Sequence, residues 1–563
     1  DASACIIVDG KLVAAIEEER INRLKHFSGY PINAIKECLD ISKKNSTEIT
    51  DIAFNTKPLS NILSKSSFYL QNIFKEQKTS TKRIFKKINI KSNMFKEFKL
   101  NKNIKFHYIE HHLAHIASAF YPSGFQKSVG LSIDGSGDFV TCAIAECQNL
   151  KINIKKKIFF PESLGIFYHG MTQFLGFKNY GDEYKIMGLA PYGKPKYFQK
   201  IIKNLFKSEG KGLIKLNLEY FNHSKPGYKY IADENLEIDQ IFNEKLNSLF
   251  QQEKINNKNE FIKDFACSVQ KVYEHYFNNI ISYILSTNYS KKLAFSGGCA
   301  LNSSANRILT ENKDYFQDIF INYAPGDNGG AIGAALVVAH KYYRKIENLK
   351  TPYLGNEYNN SEIEKILKNN FYKKKFSFKF YENDNEFYKS VAKLIYDGNV
   401  IGWFQGKMEF GPRALGNRSI LADPSNPKMK DIINSKIKRR ESFRPFAPVV
   451  LKKFQNEWFE SDFDNLYMCS VTKVKKNKQF LVPAITHVDE TSRIQSVDEF
   501  SNKRLSFLIT EFEKYKNIPL LLNTSFNENE PIVRKPEEAL NCILRNDLEY
   551  LVINNFIVKK IIN

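Results

Sequence analysis

A strand–turn–strand plan occurs twice in the N-terminal part of the chain, and it restricts the folds open to this sequence. Residues 4–20 consist of an apolar strand, an Asp9-Gly10 turn and a second strand. An Asp-Gly pair between alternating apolar runs is the strongest short-range signal for a hairpin. Residues 129–147 repeat the plan, with a glycine-rich turn that begins at Asp134. Two hairpins with an aspartate at each turn predict a duplicated α/β domain.

An actin-like (ASKHA) fold built from two ribonuclease H-like lobes meets this requirement, because its hairpin turns face a nucleotide in the cleft between the lobes. A third segment fits the same plan. Ser296, Gly297 and Gly298 connect a short strand to a helix, so their backbone N–H groups could approach a phosphate at the helix N-terminus. Such turns are also common in proteins without a bound ligand. Here the turn lies just before the glycine-rich turn at Asp327, and this position favours a phosphate site.

Two histidines and two aspartates are candidates for one metal site. His111 and His115 are four residues apart, so they lie on the same face of a helix. Asp134 ends a strand, and Asp327 lies at a glycine-rich turn that opens an apolar helix. A lone histidine pair at this spacing is as often packing or capping as ligation. Together with the two aspartates, it predicts a mononuclear site with positions open for a ligand.

Length and charge limit the function classes. A single core stops growing at about 250–300 residues, so a chain of 563 residues should form at least two domains. Lysines concentrate at 75–105 and 151–157 and contribute to the net charge of +22. They are mixed with many Ile and Asn, which favours a solvated lysine-rich surface over a nucleic-acid groove.

Location and redox state follow from other segments. A run of about 18 apolar residues, as a membrane span needs, is not found, and the start has no signal-peptide pattern. The chain begins with Asp1 directly before a strand, so we expect a few native residues to precede it. The eight cysteines form no CxxC pair, and we expect them to be reduced core residues of a cytosolic protein.

The C-terminal part is dominated by arginines. The polar stretch at 341–360 predicts a domain boundary near Tyr353. Between residues 408 and 451, five arginines stand among prolines and glycines: Arg413, Arg418, Arg439, Arg440 and Arg444. Arginines on rigid turns suit bidentate capture of phosphate or carboxylate. The alternative, that they are ordinary surface arginines, leaves their position among rigid turns unexplained.

Eight motifs together resemble the NodU/CmcH family of O-carbamoyltransferases, in the family's order along the whole chain. They are HHLAHIASAFYPSG, SIDGSGD, MGLAPYG, FSGGCALN, PGDNGGAIGAA, GPRALGNRSILADP, RPFAPVVL and NTSFNENEPIV. The resemblance implies an actin-like domain over 1–350 fused to a YrdC-like α/β domain over 351–563. It implies that the C-terminal domain makes carbamoyl-adenylate from carbamoyl phosphate and Mg-ATP. The N-terminal domain would then carbamoylate a hydroxyl of a small molecule, such as a sugar, glycoside or natural product.

The resemblance also implies roles for particular residues. The metal ligands would be His111, His115, Asp134 and Asp327, with iron(II) the usual ion in relatives, although such a mixed donor set also accepts manganese or zinc. The nucleotide would be lined by Asp134, Gly135, Ser136, Gly137, Lys185, Ser296, Gly297, Gly298 and Asn302. Carbamoyl phosphate and ATP would be bound in the C-terminal domain by Arg413, Arg444, Arg493, Asn523 and Ser525. Catalytic roles would fall to His111, His115, Arg444 and Lys25, the last of which lies near the acceptor in relatives.

Some expectations remain open at this stage. The family motif has a histidine immediately before the position of Asp1, and this sequence starts too late to show it. The acceptor is not named, because the insertions at 55–105 and 205–260 carry little information. A threonylcarbamoyl-type tRNA-modifying enzyme and a non-enzymatic actin-like nucleotide-binding protein are the alternatives. A hydrogenase-maturation carbamoyltransferase is disfavoured because it carries CxxC zinc knuckles. We expect neither nucleic acid nor membrane as a partner, with a homodimer left open.

Overall fold

The chain forms two compact units that both combine helices with sheets. The computed structural model describes residues 1–70, 90–207, 214–225, 227–232 and 236–561. The first unit holds Asp1–Glu18 and His26–Lys350, and the second holds Glu19–Lys25 and Thr351–Asn563. The predicted single domain boundary near Tyr353 did not include the grouping of Glu19–Lys25 with the second unit. Part of the predicted 55–105 and 205–260 insertions lies outside the described residues.

A five-stranded sheet forms the centre of the first unit. Its strands lie in the order Asp318–Ile321, Lys292–Ser296, Lys127–Gly137, Val140–Gln148 and Lys151–Phe159. The first three strands are parallel, and the last three form an antiparallel meander. Parallel strands end at the same edge of a sheet. The segments that carry Asp134, Gly297 and Asp327 therefore meet at one edge.

Both predicted hairpins form. Ser3–Val8 pairs with Lys11–Glu17 across the Asp9-Gly10 turn, as predicted. The second hairpin turns at Asp138 and Phe139, with φ of 50° and 72°, instead of at the glycine-rich segment. Positive φ at both central residues gives the turn the twist that two antiparallel strands need. The segment that starts at Asp134 stays in its strand, as an irregularity between Ile133 and Gly137.

The remaining elements of the first unit surround this sheet. Asp51–Phe54 runs parallel to Lys105–Tyr108, and Tyr230–Ala232 pairs antiparallel with Leu236–Ile238. The helices are Ile32–Ser42, Ile62–Leu70, Ile90–Glu97, His111–Ser123, Leu164–Phe174, Glu183–Leu189, Phe198–Leu205, Glu244–Leu249, Gln251–Asn256, Lys258–Thr287, Ser303–Glu311 and Gly329–Ala339. Short 3₁₀ turns cover Ser46–Glu48, Ala190–Tyr192, Leu218–Tyr220 and Gly298–Leu301. The predicted helices that follow the Ser296 and Asp327 turns are confirmed.

The His111–Ser123 helix packs between the sheet and the Gly329–Ala339 helix. On one face Ile116 belongs to the apolar cluster that includes residues of the central strands. On the other face Ala114 packs against the Gly329–Ala339 helix. A Cβ atom built on Gly333 would lie 1.8 Å from the carbonyl oxygen of Ala114. The two helices are therefore as close as their backbones allow.

An eight-stranded mixed sheet forms the second unit. Its strands lie in the order Phe376–Phe380, Phe556–Lys560, Tyr550–Ile553, Ile401–Phe404, Arg418–Ala422, Leu520–Ser525, Ala447–Leu451 and Gln495–Val497. A small separate pair is formed by Thr472–Lys473 and Thr491–Ser492. The strand that carries Asn523 runs through Ser525 before it turns.

Helices cover this sheet and close one large apolar core. They are Glu19–Asn22, Asn360–Leu367, Asn370–Lys373, Asp384–Tyr396, Met429–Ile432, Gln455–Trp458, Glu499–Lys516 and Pro536–Arg545, with a kink at Asn502. A π-helical turn covers Ile433–Ile437, and short 3₁₀ turns cover Lys452–Phe454 and Gln479–Leu481. Trp403 of the sheet lies in one core cluster with Phe387 and Leu505 of two helices.

The segment Glu19–Lys25 contributes two arginines to the second unit. Arg20, which is buried, donates a hydrogen bond of 2.8 Å to the carbonyl oxygen of Gly411. Arg23 donates to the carbonyl oxygen of Ile532 at 2.8 Å and lies 3.2 Å from a carboxylate oxygen of Glu538. Sequence-distant parts of the second unit are therefore joined by this short segment.

Two predictions from composition can be compared with the structure. All eight cysteines are free, as predicted. Among the described residues, the helices are too short or too polar to cross a lipid bilayer.

Gly333→Ala tests the close contact between the two helices. We expect the substitution to destabilise the chain by about 1–3 kcal/mol, because overpacking outweighs the roughly 1 kcal/mol that alanine gains in helix propensity. Urea denaturation followed by circular dichroism measures the change. Gly135→Ala is the control, since a Cβ there would meet no atom within 4 Å. Equal losses in both variants would contradict the packing argument.

Candidate functional site

The start of the His111–Ser123 helix is held by Asp138. Its Oδ2 atom accepts hydrogen bonds from the backbone N–H groups of His111, at 3.0 Å, and Lys57, at 2.7 Å. Its Oδ1 atom accepts one from the hydroxyl of Thr56 at 2.8 Å. The first N–H groups of a helix lack partners within the helix, and a negative charge is favourable there. Asp138 therefore sets where the helix begins.

Four side chains converge at the edge of the central sheet. His111 Nε2 and His115 Nε2 each lie 3.1 Å from Asp134 Oδ2 and 3.0 Å from each other. Asp327 Oδ1 lies 3.4 Å from the first nitrogen and 3.5 Å from the second. One donor atom of each residue lies within 4.8 Å of all the others. The structure thus brings together the four residues that the sequence pattern singled out.

The glycine at position 137 makes room for the first of these rings. A Cβ atom at Gly137 would lie 2.0 Å from Cδ2 of His111. Real Cβ atoms do not approach a ring carbon so closely, so any larger residue would displace the imidazole. The absence of a side chain at Gly137 therefore leaves the space that the His111 ring occupies.

The charges of this group favour a bound cation. Burial alone would raise the pKa of Asp134, but hydrogen bonds from His111 and His115 outweigh it and hold that pKa well below its usual value. Burial alone would lower the pKa of His115, yet its hydrogen bonds to Asp134 and Asp327 raise it to about 9. The carboxylates of Asp134 and Asp327 therefore stabilise a positive charge at this position. Imidazole nitrogens and carboxylate oxygens are ordinary ligands of divalent first-row metals, so the four residues fit such an ion.

The neighbouring histidine has a structural role. His112 is buried, and its two ring nitrogens make hydrogen bonds of 2.9 Å to Ser132 Oγ and to the carbonyl oxygen of Val140. Burial lowers the pKa of His112 to about 3. The ring is therefore neutral and ties the helix to the sheet.

The residues predicted to line a nucleotide fall into two groups. Gly135, Ser136 and Gly137 lie at the end of the central strand, next to Asp134. The backbone N–H of Gly298 donates to Asp134 Oδ1 at 3.3 Å. Gly297 precedes it in the same turn, so both glycine segments adjoin the four converging side chains.

The polar atoms of the other group are used within the protein. The buried hydroxyl of Ser296 donates to the carbonyl oxygen of Pro325 at 3.1 Å. Asn302 caps the Ser303–Glu311 helix by accepting from the N–H of Ala305 at 3.0 Å. Lys185 Nζ lies 3.1 Å from a carboxylate oxygen of Asp182. Their nucleotide roles stay predictions.

A cluster of cations occupies the second unit. Burial lowers the pKa of Arg493 well below its usual value, and the positive charges of Arg413, Arg440 and Arg444 lower it further. The Nε atom of Arg493 is buried and has no hydrogen-bond partner among the described residues. Several guanidinium groups at close range, with an unused donor, are an arrangement that an anion would stabilise.

A lysine that the sequence analysis missed, Lys438, lies within electrostatic range of Arg440 and Arg444 of this cluster. Lys438 is only 1% exposed. Its Nζ atom donates to the carbonyl oxygens of Ser525, at 2.5 Å, and Asn527, at 2.7 Å, and to the Asn527 side-chain oxygen at 2.7 Å. Burial, together with the charges of Arg440 and others nearby, lowers the pKa of Lys438 well below its usual value. The stretch IKRRESFR shows three basic residues in a row, and only burial distinguishes Lys438 from its neighbours.

The other residues predicted to bind carbamoyl phosphate and ATP make contacts within the second unit. Ser525 Oγ lies 3.2 Å from Lys438 Nζ. Asn523 donates through Nδ2 to Gln495 at 3.0 Å, while its Oδ1 atom is buried without a partner among the described residues. Arg444 lies 3.7 Å from a carboxylate oxygen of Glu441. The binding roles of Arg444, Asn523 and Ser525 stay predictions.

Two further basic residues belong to the second unit, and the catalytic role of the first, Lys25, stays a prediction. Lys25 groups with the second unit, where its charge contributes to lowering the pKa of Lys438. Arg418 is fully buried and takes no part in the cation cluster. Its guanidinium lies 3.6 Å from the centre of the Phe404 ring and donates to the carbonyl oxygen of Gln405 at 2.7 Å. Arg418 therefore stabilises the fold, and its proposed oxyanion role is wrong for this reason.

Comparison with family models gives two matches that together span most of the chain. Residues 1–336 match the model described as carbamoyltransferase N-terminus, and residues 392–560 match carbamoyltransferase C-terminus.

Curated proteins show similarity over comparable lengths. An uncharacterised protein of Synechocystis is 36% identical, covering 100% of this chain and 95% of its own length. Nodulation protein NolNO of Sinorhizobium fredii is 34% identical, covering 100% of this chain and 79% of its own. Nodulation protein NolO of Bradyrhizobium diazoefficiens is 35% identical, covering 80% and 79%. A crystal structure of full-length HypF aligns at 14% identity over 47% of this chain and 50% of its own, with a TM-score of 0.24, too low to support an argument.

His115→Ala tests whether the four converging side chains bind a divalent metal. We expect it to weaken binding of Fe(II) or Mn(II) by more than the roughly 10- to 100-fold that loss of an outer-shell partner costs, because a direct ligand is removed. Equilibrium dialysis with elemental analysis measures the bound ion. His275→Ala is the matched control, since His275 is an exposed histidine of the same unit. Equal metal binding by both variants would remove His115 from the site.

Proposed function

Because the chain belongs to the NodU family of carbamoyltransferases, we propose that this carbamoyltransferase works in two steps on two sites. The second unit makes carbamoyl-adenylate from carbamoyl phosphate and ATP. The first unit passes the carbamoyl group to a hydroxyl of a small molecule such as a sugar, glycoside or natural product. In this proposal residues 1–350 form an actin-like domain and residues 351–563 a YrdC-like domain.

The observation that carries the first step is the cation cluster of the second unit. Arg413 and Arg444 each lie within electrostatic range of Arg493, and the buried Lys438 contacts uncharged oxygens. Buried positive charges of this density are costly unless an anion joins them. A carbamoyl phosphate and the triphosphate of ATP would supply that anion. The arrangement therefore supports activation of a carbamoyl group by phosphate chemistry.

The chemistry of this step needs fixed positive groups. Negative charge accumulates on the phosphates as the adenylate forms and phosphate and pyrophosphate depart. Arginine forks that are already oriented stabilise this charge without reorganisation. Lys438 would act as a point charge between the phosphates, held in place by Ser525 and Asn527. Asn523 offers an unused carbonyl oxygen to the amide nitrogen of the carbamoyl group.

The observation that carries the second step is the group of four converging side chains in the first unit. His111, His115, Asp134 and Asp327 would hold a divalent ion, which we propose to be iron(II), and the ion would neutralise charge on the phosphate of the adenylate. The glycine-rich segments beside these ligands would accept the nucleotide. In this proposal the second unit activates the carbamoyl group and the first unit transfers it. Enclosed sites would shield the readily hydrolysed intermediate from water.

Arg444→Ala tests the assignment of the first step. Losing a bidentate charge-assisted contact to phosphate should cost about 2–4 kcal/mol in the transition state, which is roughly 30- to 1,000-fold in rate. We expect pyrophosphate release from ATP and carbamoyl phosphate to slow by that factor. Transfer from synthetic carbamoyl-adenylate should continue, because the first unit is unchanged.

Two further variants sharpen this experiment. Arg444→Lys should restore little activity, because an ammonium group cannot replace the planar fork. Arg439→Ala is the matched control, since Arg439 is more than half exposed and pairs with Glu528. If Arg444→Ala releases pyrophosphate at the normal rate and fails only in transfer, the two steps have been assigned to the wrong units.

His115→Ala tests the second step. We expect it to abolish carbamoylation of acceptor hydroxyls while pyrophosphate release continues, because activation takes place in the second unit. Mass spectrometry of a metabolite panel, scored for the addition of one carbamoyl group, measures the transfer. Product formation at the normal rate would exclude this residue from the transfer step.

A further inference from the structure

A carboxylate–imidazole pair lies in the first unit, apart from the four converging side chains. His169 is on the Leu164–Phe174 helix, and Glu183 is the first residue of the Glu183–Leu189 helix. His169 Nδ1 and Glu183 Oε1 form a short hydrogen bond. His169 is only 6% exposed, and its second ring nitrogen, Nε2, has no hydrogen-bond partner among the described residues.

The protonation of the pair follows from its partners. Burial alone would raise the pKa of Glu183, but the hydrogen bond from His169 and further favourable interactions outweigh it, so that the net pKa is lowered. The N-terminal end of a helix also favours the ionised carboxylate. An ionised carboxylate only accepts hydrogen bonds, so the proton between the two groups belongs to His169 Nδ1. In an imidazole whose single proton is on Nδ1, the lone pair is on Nε2.

The helix that carries His169 packs directly on the glycine-rich edge. Ser163, which caps this helix, donates to the carbonyl oxygen of Gly135 at 2.7 Å. A Cβ atom at Gly165 would lie 2.8 Å from the backbone nitrogen of Gly135. Gly165 and His169 are four residues apart and therefore lie on the same face, about 6 Å apart along the axis. The imidazole is one helical turn from the edge that carries Asp134.

Aromatic and charged groups border the pair on its other sides. The ring of Tyr180 lies between two histidines, 5.9 Å from the His169 centroid and 5.4 Å from that of His26. His26 is in turn 3.1 Å from a carboxylate oxygen of Asp1. Glu183 keeps 31% of its side chain exposed. The pair is therefore buried on the histidine side and open to solvent on the carboxylate side.

We propose that His169, oriented by Glu183, accepts the proton of the acceptor hydroxyl in the transfer step. This inference rests on the proposed function, since it assigns a proton acceptor to its second reaction. The acceptor oxygen forms a bond to the carbamoyl carbon while the bond from that carbon to the phosphate oxygen breaks. AMP leaves with the electron pair, and the hydroxyl proton passes to His169 Nε2. Glu183 stabilises the resulting imidazolium, as a carboxylate does for a histidine base.

A role as proton acceptor accounts for two features of His169 that a packing role does not explain. A histidine that only fills space is better served by two internal hydrogen bonds, as His112 shows in the same unit. His169 instead places a basic nitrogen in a buried position without a partner, and a carboxylate fixes its tautomer. A buried nitrogen without a hydrogen-bond partner and a largely buried carboxylate–imidazole pair both destabilise a protein when their role is only structural. A substrate hydroxyl would be the missing partner.

The test compares two nucleophiles that differ in their need for a base. The full chain is supplied with ATP, carbamoyl phosphate and either glycerol, whose hydroxyls attack only as the proton is removed, or hydroxylamine, which attacks unaided. Mass spectrometry quantifies glyceryl carbamate and hydroxyurea, each corrected for the reaction without enzyme. Pyrophosphate release reports adenylate formation separately. Absence of pyrophosphate with the unsubstituted chain would mean that the proposed function itself fails.

We expect His169→Ala to lower carbamoylation of glycerol by about 100- to 10,000-fold, the usual contribution of a positioned base. Pyrophosphate release and hydroxyurea formation should stay near the unsubstituted level. Added imidazole should restore part of the glycerol reaction, which a structural residue would not allow. His169→Gln keeps the volume and a donor to Glu183, and should show the same selective loss if alanine proves unstable. His275→Ala serves as the control.

Three results would overturn the assignment. The first is glycerol carbamoylation at the unsubstituted rate in both His169 variants. The second is an equal loss of both products, which would indicate a structural role. The third is a selective loss that imidazole does not relieve.

Discussion

The geometry of the first unit depends on one carboxylate at the start of one helix. Asp138 accepts from the N–H of His111 and from two groups of the 56–57 segment. A helix shifted by one residue would rotate every side chain by about 100°. The two imidazoles would then face away from Asp134 and Asp327. The converging donor set is therefore a consequence of where this helix begins, and Asp138 itself lies in the hairpin turn of the strand that carries Asp134.

The second unit contains the opposite arrangement, a set of basic side chains close enough to lower the pKa of their neighbours. Lys438 is held by neutral oxygens, and burial lowers the pKa of both Lys438 and Arg493, which disfavours their charged forms. Such groups destabilise a protein unless a ligand joins them. The apolar core around Trp403 supplies the stability that permits it. The unit thus stores electrostatic strain that binding of an anion would relieve.

Local patterns in the sequence predicted much of the architecture. The two hairpins, the helix through His111 and His115 and the glycine-rich strand–helix turns depend on residues close in sequence, so spacing alone reveals them. The predicted position of the second hairpin turn was wrong. Phe139 adopts a positive φ but is not a residue type that indicates a turn, whereas the adjacent glycines are. The nucleotide and substrate roles of the site residues remain predictions.

Features that depend on burial were not visible in the sequence. Lys438 and Arg418 look like their basic neighbours, and only tertiary packing separates a lysine in a cation cluster from an arginine stacked on Phe404. His169 and Glu183 are fourteen positions apart on two helices, a spacing that has no periodic meaning. Their proximity arises from how the two helices pack.

The short segment Glu19–Lys25 has a consequence for how the polypeptide can be dissected. Its arginines bind backbone carbonyls of the second unit, although the segment lies between a strand and a helix of the first. A fragment that starts at Thr351 would leave the carbonyl groups of Gly411 and Ile532 without these donors. A fragment that ends at Lys350 would carry two arginines and a lysine away from their partners. The two units are thus interlaced along the chain, and neither can be exchanged between proteins as a contiguous cassette.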